Sequence, residues 1–310
     1  MCTRILWSDN SVATVVSRTM DWAVSDEPDL WSLPAGIERD GHAGPHSVTW
    51  TSKYPSVVLS MWRSGTVDGM NGKGLAAHAL YLDDVDWEAP DDRPAVGNIM
   101  WVQYLLDNFA TVAEVVAAVS EVRIASIPMR GHDMGCHIAV DDAGGDSAII
   151  EPIEGKLVVH HRREFAVMAN SPDYDDQLAN LARYRPFGGE LNPPGDITSL
   201  DRFVRASYFL HYLPKPANLQ ETVAGVFKLA ANVAVPPGSP YEDGGVYPTW
   251  WTAGADLTNL TYYFLASESP SMTWVDLKDV VGEQVTSLNP RQEGLIGDIA
   301  DQFKPTELLY

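Results

Sequence analysis

The chain reads as an α+β protein with helical layers outside antiparallel sheets. Three observations give that class. Short apolar runs separated by tight polar turns crowd residues 136–169, the mark of an antiparallel meander. Apolar residues recur at helical spacing over 96–119 and again over 200–233. Strand patterns then return between Trp250 and Leu277, so strand-rich halves flank the helices. No repeat, low-complexity segment or interior linker divides the chain, and residues 1–310 are predicted to form a single domain.

Taken in order, Ile5–Trp7 and Ala13–Val16 read as strands across the polar turn Ser8–Ser11, the second running on to Trp22. Leu30–Gly44 reads as loop. Strands are predicted at Ser47–Thr51 and Val57–Trp62, then a glycine-rich turn, Asp68–Leu75, leading into a strand that ends at Leu82. Ile99, Val102, Leu105, Leu106 and Phe109 place a helix over 96–109, and Thr111 caps a second one. The meander follows as Cys136–Val140, Ala148–Ile153, Leu157–His161 and Phe165–Ala169. Helices are predicted at Gln177–Tyr184, Leu200–Tyr212 and Leu219–Val233, strands at Trp250–Trp251, Tyr262–Ala266 and Thr273–Leu277, and mostly coil from Val281.

Composition excludes several classes. No run of about 18 apolar residues exists to cross a membrane. A formal charge of −21 argues against nucleic acid, whose phosphates need clustered Lys and Arg. Two cysteines make no disulfide framework, no CxxC pair marks zinc, and His160-His161 points to opposite strand faces, so neither metal nor cofactor is predicted. Residues 68–75 imitate a phosphate loop, but Val67 stands where GxxxxGK needs glycine and no Ser or Thr follows Lys73. Without a basic and apolar leader pattern after Met1, a cytoplasmic location is expected.

The chemistry that stands out is at the start. Initiator methionine is normally trimmed before a residue as small as Cys2, which would join a thiol and a free α-amine in one residue. Such groups titrate near about 8.5 and about 8 in model peptides, so a proton passes between them at little cost. A nucleophile that carries its own base is the arrangement of N-terminal-nucleophile amidases. Arg18 and Asp21 lie on the strand a hairpin would bring beside Cys2. There a guanidinium favours the thiolate and a carboxylate holds the amine; the alternative is two solvated edge charges. Cys136, mid-strand, reads as a buried apolar residue.

Five segments, Met1–Arg4, Ser17–Trp22, Asn71–Ala76, Met168–Pro172 and Asp201–Ala206, together resemble the choloylglycine hydrolase family of N-terminal-nucleophile hydrolases. The resemblance implies a four-layer αββα sandwich with two antiparallel sheets between helical layers. It implies Cys2 as nucleophile with its amine as base, Arg18 beside the thiol and Asp21 on the amine. Asn170 and the backbone N–H of Tyr81 would bind the oxyanion, with Arg202 in the surrounding polar network. Trp22, Trp31 and Tyr81 are expected to line an acyl pocket of the penicillin V acylase type, with acyl homoserine lactones as further substrates. Bile salt hydrolysis is the alternative within the family. An acyl-ligand-binding protein that retains Met1 is the alternative outside it. A homo-oligomer acting on a small-molecule N-acyl amide is expected.

Overall fold

The structure, a computed structural model, describes residues 1–310 apart from Asp84, His132 and Leu309. Two large sheets face one another. One holds seven strands in the order Val167–Met168, β1 (Cys2–Trp7), β2 (Val15–Asp21), Thr249–Asp256, Thr261–Ala266, Thr273–Asp276 and Gly297–Asp298. All its neighbours are antiparallel except the last pair. The nine-stranded sheet runs Lys156–His161, Ser147–Ile153, Cys136–Asp141, Ala76–Tyr81, Gly65–Asn71, Ser56–Met61, Asp29–Leu33, Thr286–Leu288 and Lys304–Pro305.

Helices α1 (Trp101–Asn108) and α2 (Val112–Ala118) cover the outer face of the nine-stranded sheet. The opposite outer layer is α3 (Tyr174–Leu181), α4 (Ser199–His211) and α5 (Leu219–Val233), with α4 and α5 packed on β1. This is the expected αββα sandwich. Each of α2 to α5 is preceded by a residue whose side chain accepts from the backbone N–H three places on: Thr111, Asp173, Thr198 and Asn218. Each such cap contributes about 1 kcal/mol.

Four readings need correction. The predicted loop at 30–44 contains the strand Asp29–Leu33, whose Leu30 and Trp31 are buried on opposite faces. The glycine-rich turn is shorter than expected, because Gly65–Asn71 is strand. Asp68 disguised it: a charge in a central strand reads as turn, yet here it is buried and satisfied by His78 (2.7 Å) and Tyr262 (2.5 Å). The turn proper closes at Gly74, with φ +76° and no room for a Cβ against the Leu257 carbonyl. The helix expected from 96 starts only at Trp101, since Ala95–Gly97 pairs in parallel with Arg123–Ala125. Finally, the fourth meander strand leaves its sheet. Val167–Met168 pairs with β1 instead, and so delivers Asn170 to the end of Cys2.

Candidate active site

The β1–β2 hairpin places the site. Its register sets Cys2 opposite Met20 and Arg4 opposite Arg18. Side chains alternate along a strand. Cys2, Arg18 and Met20 therefore face the other sheet, while Thr3, Thr19 and Asp21 face the helices. All are buried.

On the inter-sheet face, Arg18 Nη2 donates toward Cys2 Sγ at 3.2 Å and to the Ala79 carbonyl at 3.0 Å. The guanidinium lies under the Trp251 ring, 4.6 Å from its centroid. Burial works against this charge, but Cys2, Asp68 and Asp26 outweigh it and hold the Arg18 pKa above its usual range. Trp251 Nε1 in turn donates to both oxygens of Asp26 at 3.0 Å. Burial pushes the Asp26 carboxyl up to about 6 despite those bonds.

On the helix face, Arg202 of α4 gathers the chain ends. Its Nη1 donates to the Cys2 carbonyl (2.6 Å) and to Thr3 Oγ1, its Nη2 to Asn170 Oδ1 (2.9 Å), and its Nε to the Ile197 carbonyl (3.0 Å). The Cys2 N–H donates to the same Asn170 oxygen. Asn170 Nδ2 donates to the Tyr81 carbonyl at 2.7 Å, which ties it to the wall carrying Tyr81. Asp21 Oδ1 accepts from Thr249 Oγ1 at 2.6 Å and lies 3.8 Å, through Oδ2, from Arg202. That second oxygen is buried and has no hydrogen-bond partner among the described residues. Burial raises the Asp21 pKa, against Arg202 and the N-terminal amine. Met1 precedes Cys2 here, and burial lowers the pKa of its amine.

Two cavities lie on either side of the Trp22–Tyr81 pair, and the inner one holds the thiol. An inner one of about 60 Å³ is lined by Cys2, Arg18, Trp22 and Tyr81 and ends on Met61, Ile99 and Met134. An outer one of about 560 Å³ is lined by Met1, Trp22, Tyr81, Asp83, Ser199, Tyr241 and Tyr247. Trp22 and Tyr81 line both and pack edge to face at 5.0 Å, so this pair divides them.

Six of the expected residues thus converge on Cys2: Arg18, Asp21, Trp22, Tyr81, Asn170 and Arg202. Trp31 does not. It is fully buried on the α1 side of its strand, donating to Ser60 Oγ (3.0 Å) and packing against Tyr310. Alternation sends its neighbour Leu30 to the inner face instead. Cys136 lines the inner cavity, and desolvation pushes its thiol up to about 12, so it stays protonated at neutral pH. Sequence reasoning missed Thr249, Asp26 and Tyr241. Tyr241 donates to the Ile197 carbonyl at 3.2 Å, and burial pushes its phenol up to about 12. Asp26 and Tyr241 sit in segments without periodicity, and only the fold brings Thr249 to Asp21.

The comparisons agree with this geometry. Residues 2–283 match the family of linear amide C–N hydrolases, choloylglycine hydrolase family. The chain belongs to the choloylglycine hydrolase family. It is 34% identical to penicillin V acylase of Pectobacterium atrosepticum, over 99% of this chain and 90% of that one. It is 25% identical to a bile salt hydrolase/transferase of Bifidobacterium longum subsp. longum, over 88% and 94%. Among solved structures it superposes on penicillin V acylase from Agrobacterium tumefaciens with a TM-score of 0.90 and 37% identity, covering 99% and 98% of the two chains. As a choloylglycine hydrolase family member, this chain is a hydrolase acting on linear amides.

Proposed function

We propose that this enzyme is a cysteine N-terminal-nucleophile acylase that hydrolyses penicillin V or a related N-acyl amide within one domain of residues 1–310. Removal of Met1 frees the Cys2 amine, which takes the thiol proton as Sγ attacks the amide carbon. Asn170 Nδ2 and the Tyr81 backbone N–H receive the developing oxyanion, each donor contributing about 3 kcal/mol in comparable hydrolases. The proton then passes to the leaving amine, the C–N bond breaks, and a thioester remains. Water adds to that thioester, releasing the acid and restoring the thiol. Arg18 stabilises the thiolate, and Arg202 fixes the Cys2 carbonyl and Asn170. Asp21 Oδ2, which no hydrogen bond from the described residues reaches, carries this reading: a buried carboxylate oxygen beside the chain start is a seat for the freed ammonium.

Substrate class follows from the inner cavity. It is small, lined by Trp22, Tyr81, Met61 and Met134, and suits a flat aromatic or extended acyl group better than a steroid. Similarity to the two penicillin V acylases supports the same class, and acyl homoserine lactones fit as further substrates. Two free thiols suit the reducing cytoplasm, and exposed Phe209 and Tyr212 on and beside α4 suit a homo-oligomer. The test is intact mass with phenoxyacetate release from penicillin V. Loss of one methionine mass with turnover is expected, and Cys2→Ala should abolish turnover with the circular dichroism unchanged. Turnover by Cys2→Ala, or by protein that keeps Met1, overturns the mechanism. Turnover of glycocholate in preference to penicillin V overturns the substrate class.

A further inference from the structure

The backbone around Asn170 is held at three points, and the longest reach comes from the other sheet. Its N–H donates to Ser199 Oγ (2.9 Å), and its carbonyl accepts from Gln177 Nε2 (2.9 Å). The preceding carbonyl, of Ala169, lies 2.9 Å from His137 Nε2. His137 Nδ1 faces Glu151 Oε1 at 2.7 Å. Both ring nitrogens therefore face acceptors. A neutral imidazole has one N–H and can satisfy one of them; a ring that satisfies both carries two protons and a positive charge.

Glu151 is built to hold that charge. It is fully buried, and its other oxygen accepts from the Tyr174 N–H (2.9 Å) and lies 3.3 Å from His160 Nε2. Burial alone would raise its pKa, but the His137 hydrogen bond and the nearby His160 ring outweigh burial and bring it to about 2. Glu151 is thus a carboxylate across the working range. Both residues stand on rigid strands, Cys136–Asp141 and Ser147–Ile153, while Ala169-Asn170 leaves the edge of the facing sheet.

We propose that His137, held between Glu151 and the Ala169 carbonyl, is a positioning residue that locks the Ala169–Asn170 peptide and so aims the Asn170 amide at the reacting carbonyl. The inference rests on the oxyanion role of Asn170 given above. A donor of this kind acts chiefly in the transition state, and a shift of about 1 Å in it can cost about 10²-fold in rate.

Four variants test it on the processed enzyme with penicillin V: His137→Leu, His137→Gln, Asn170→Ala, and His137→Leu with Asn170→Ala. We expect His137→Leu to lower kcat about 10- to 100-fold with KM within about twofold, and His137→Gln, which keeps one N–H for Ala169, to lose less. Alkylation of Cys2 by iodoacetamide should keep its rate, since the thiol is held by other groups. The double variant should be no slower than Asn170→Ala alone, because a misplaced donor that is already gone costs nothing more. Multiplied losses in the double variant, alkylation that slows in step with kcat, or an unchanged kcat overturns the positioning role. If Asn170→Ala keeps its kcat, the oxyanion reading itself fails and takes this inference with it. Should His137→Leu not fold, Glu151→Gln carries the test. It removes the counter-charge at nearly constant volume and is expected to lower kcat with KM and alkylation unchanged; no loss in kcat overturns the role equally.

Discussion

Two arginines flank Cys2, both fully buried, and they are bonded in opposite ways. Arg202, on the helix face, spends its guanidinium on four oxygen acceptors: the Ile197 and Cys2 carbonyls, Thr3 and Asn170. Arg18, on the inter-sheet face, finds one carbonyl, two sulfurs and a tryptophan ring, and its Nε and Nη1 have no hydrogen-bond partner among the described residues. A saturated guanidinium fixes geometry. An under-bonded one keeps its field for whatever charge appears beside it, which here is the Cys2 sulfur. The hairpin thus divides the work by strand face, with scaffold on one side and electrostatics on the other.

The largest effect should come from breaking the scaffold side. Arg202→Met keeps the bulk of the side chain but leaves the Cys2 carbonyl and Asn170 Oδ1 short of a donor, and Asp21 without its nearest cation. We expect kcat to fall about 10³-fold and stability by about 3–5 kcal/mol, the usual result of unpairing a buried charge. Stopped-flow turnover and urea midpoints measure both. A variant within threefold of the parent in kcat would erase the division drawn above.

A smaller effect sharpens the electrostatic side. Asp26, under Trp251 and within the field of Arg18, has its carboxyl pushed from 3.8 to about 6 by burial. Between those values the folded protein keeps a proton that the unfolded chain has released, so stability falls as pH rises, and the loss is complete above about 6. The full span corresponds to about 3 kcal/mol. Asp26→Asn should flatten that slope. Urea midpoints at pH 4.5 and 7.5 should differ less in the variant than in the parent; equal differences would mean that Asp26 titrates as it does in the unfolded chain.

What the sequence made legible follows the same faces. The β1–β2 hairpin, the Thr111 cap and the α5 boundaries could be read because they rest on local pattern. Asn170 and Arg202 came from the resemblance alone, since a turn asparagine and a helix arginine look ordinary without their partners. Trp31 was misplaced because the resemblance put it in the pocket while 30–44 was read as loop, without the strand alternation that turns Leu30 to the inter-sheet face and Trp31 to the other. Asp68 hid a central strand because its partners, His78 and Tyr262, lie 10 and 194 residues away. His137 and Glu151 were illegible for the same reason: their pairing needs the register between two strands and the crossing of residues 167–168 to the other sheet.

The smallest expected effect tests Arg18 directly. Arg18→Leu removes the charge facing Cys2 Sγ and the stack under Trp251, while Arg202, Asn170 and Asp21 keep their bonds. An adjacent cation favours the reactive thiolate, so alkylation of Cys2 at pH 7 should slow about tenfold, with KM for penicillin V changing less. The contrast with Arg202→Met is the informative part. That variant should lose turnover while its thiol still reacts with iodoacetamide near the parent rate, whereas Arg18→Leu should lose both together. If the two variants show the same pattern, strand face does not separate scaffold from field, and the site works as one undivided network.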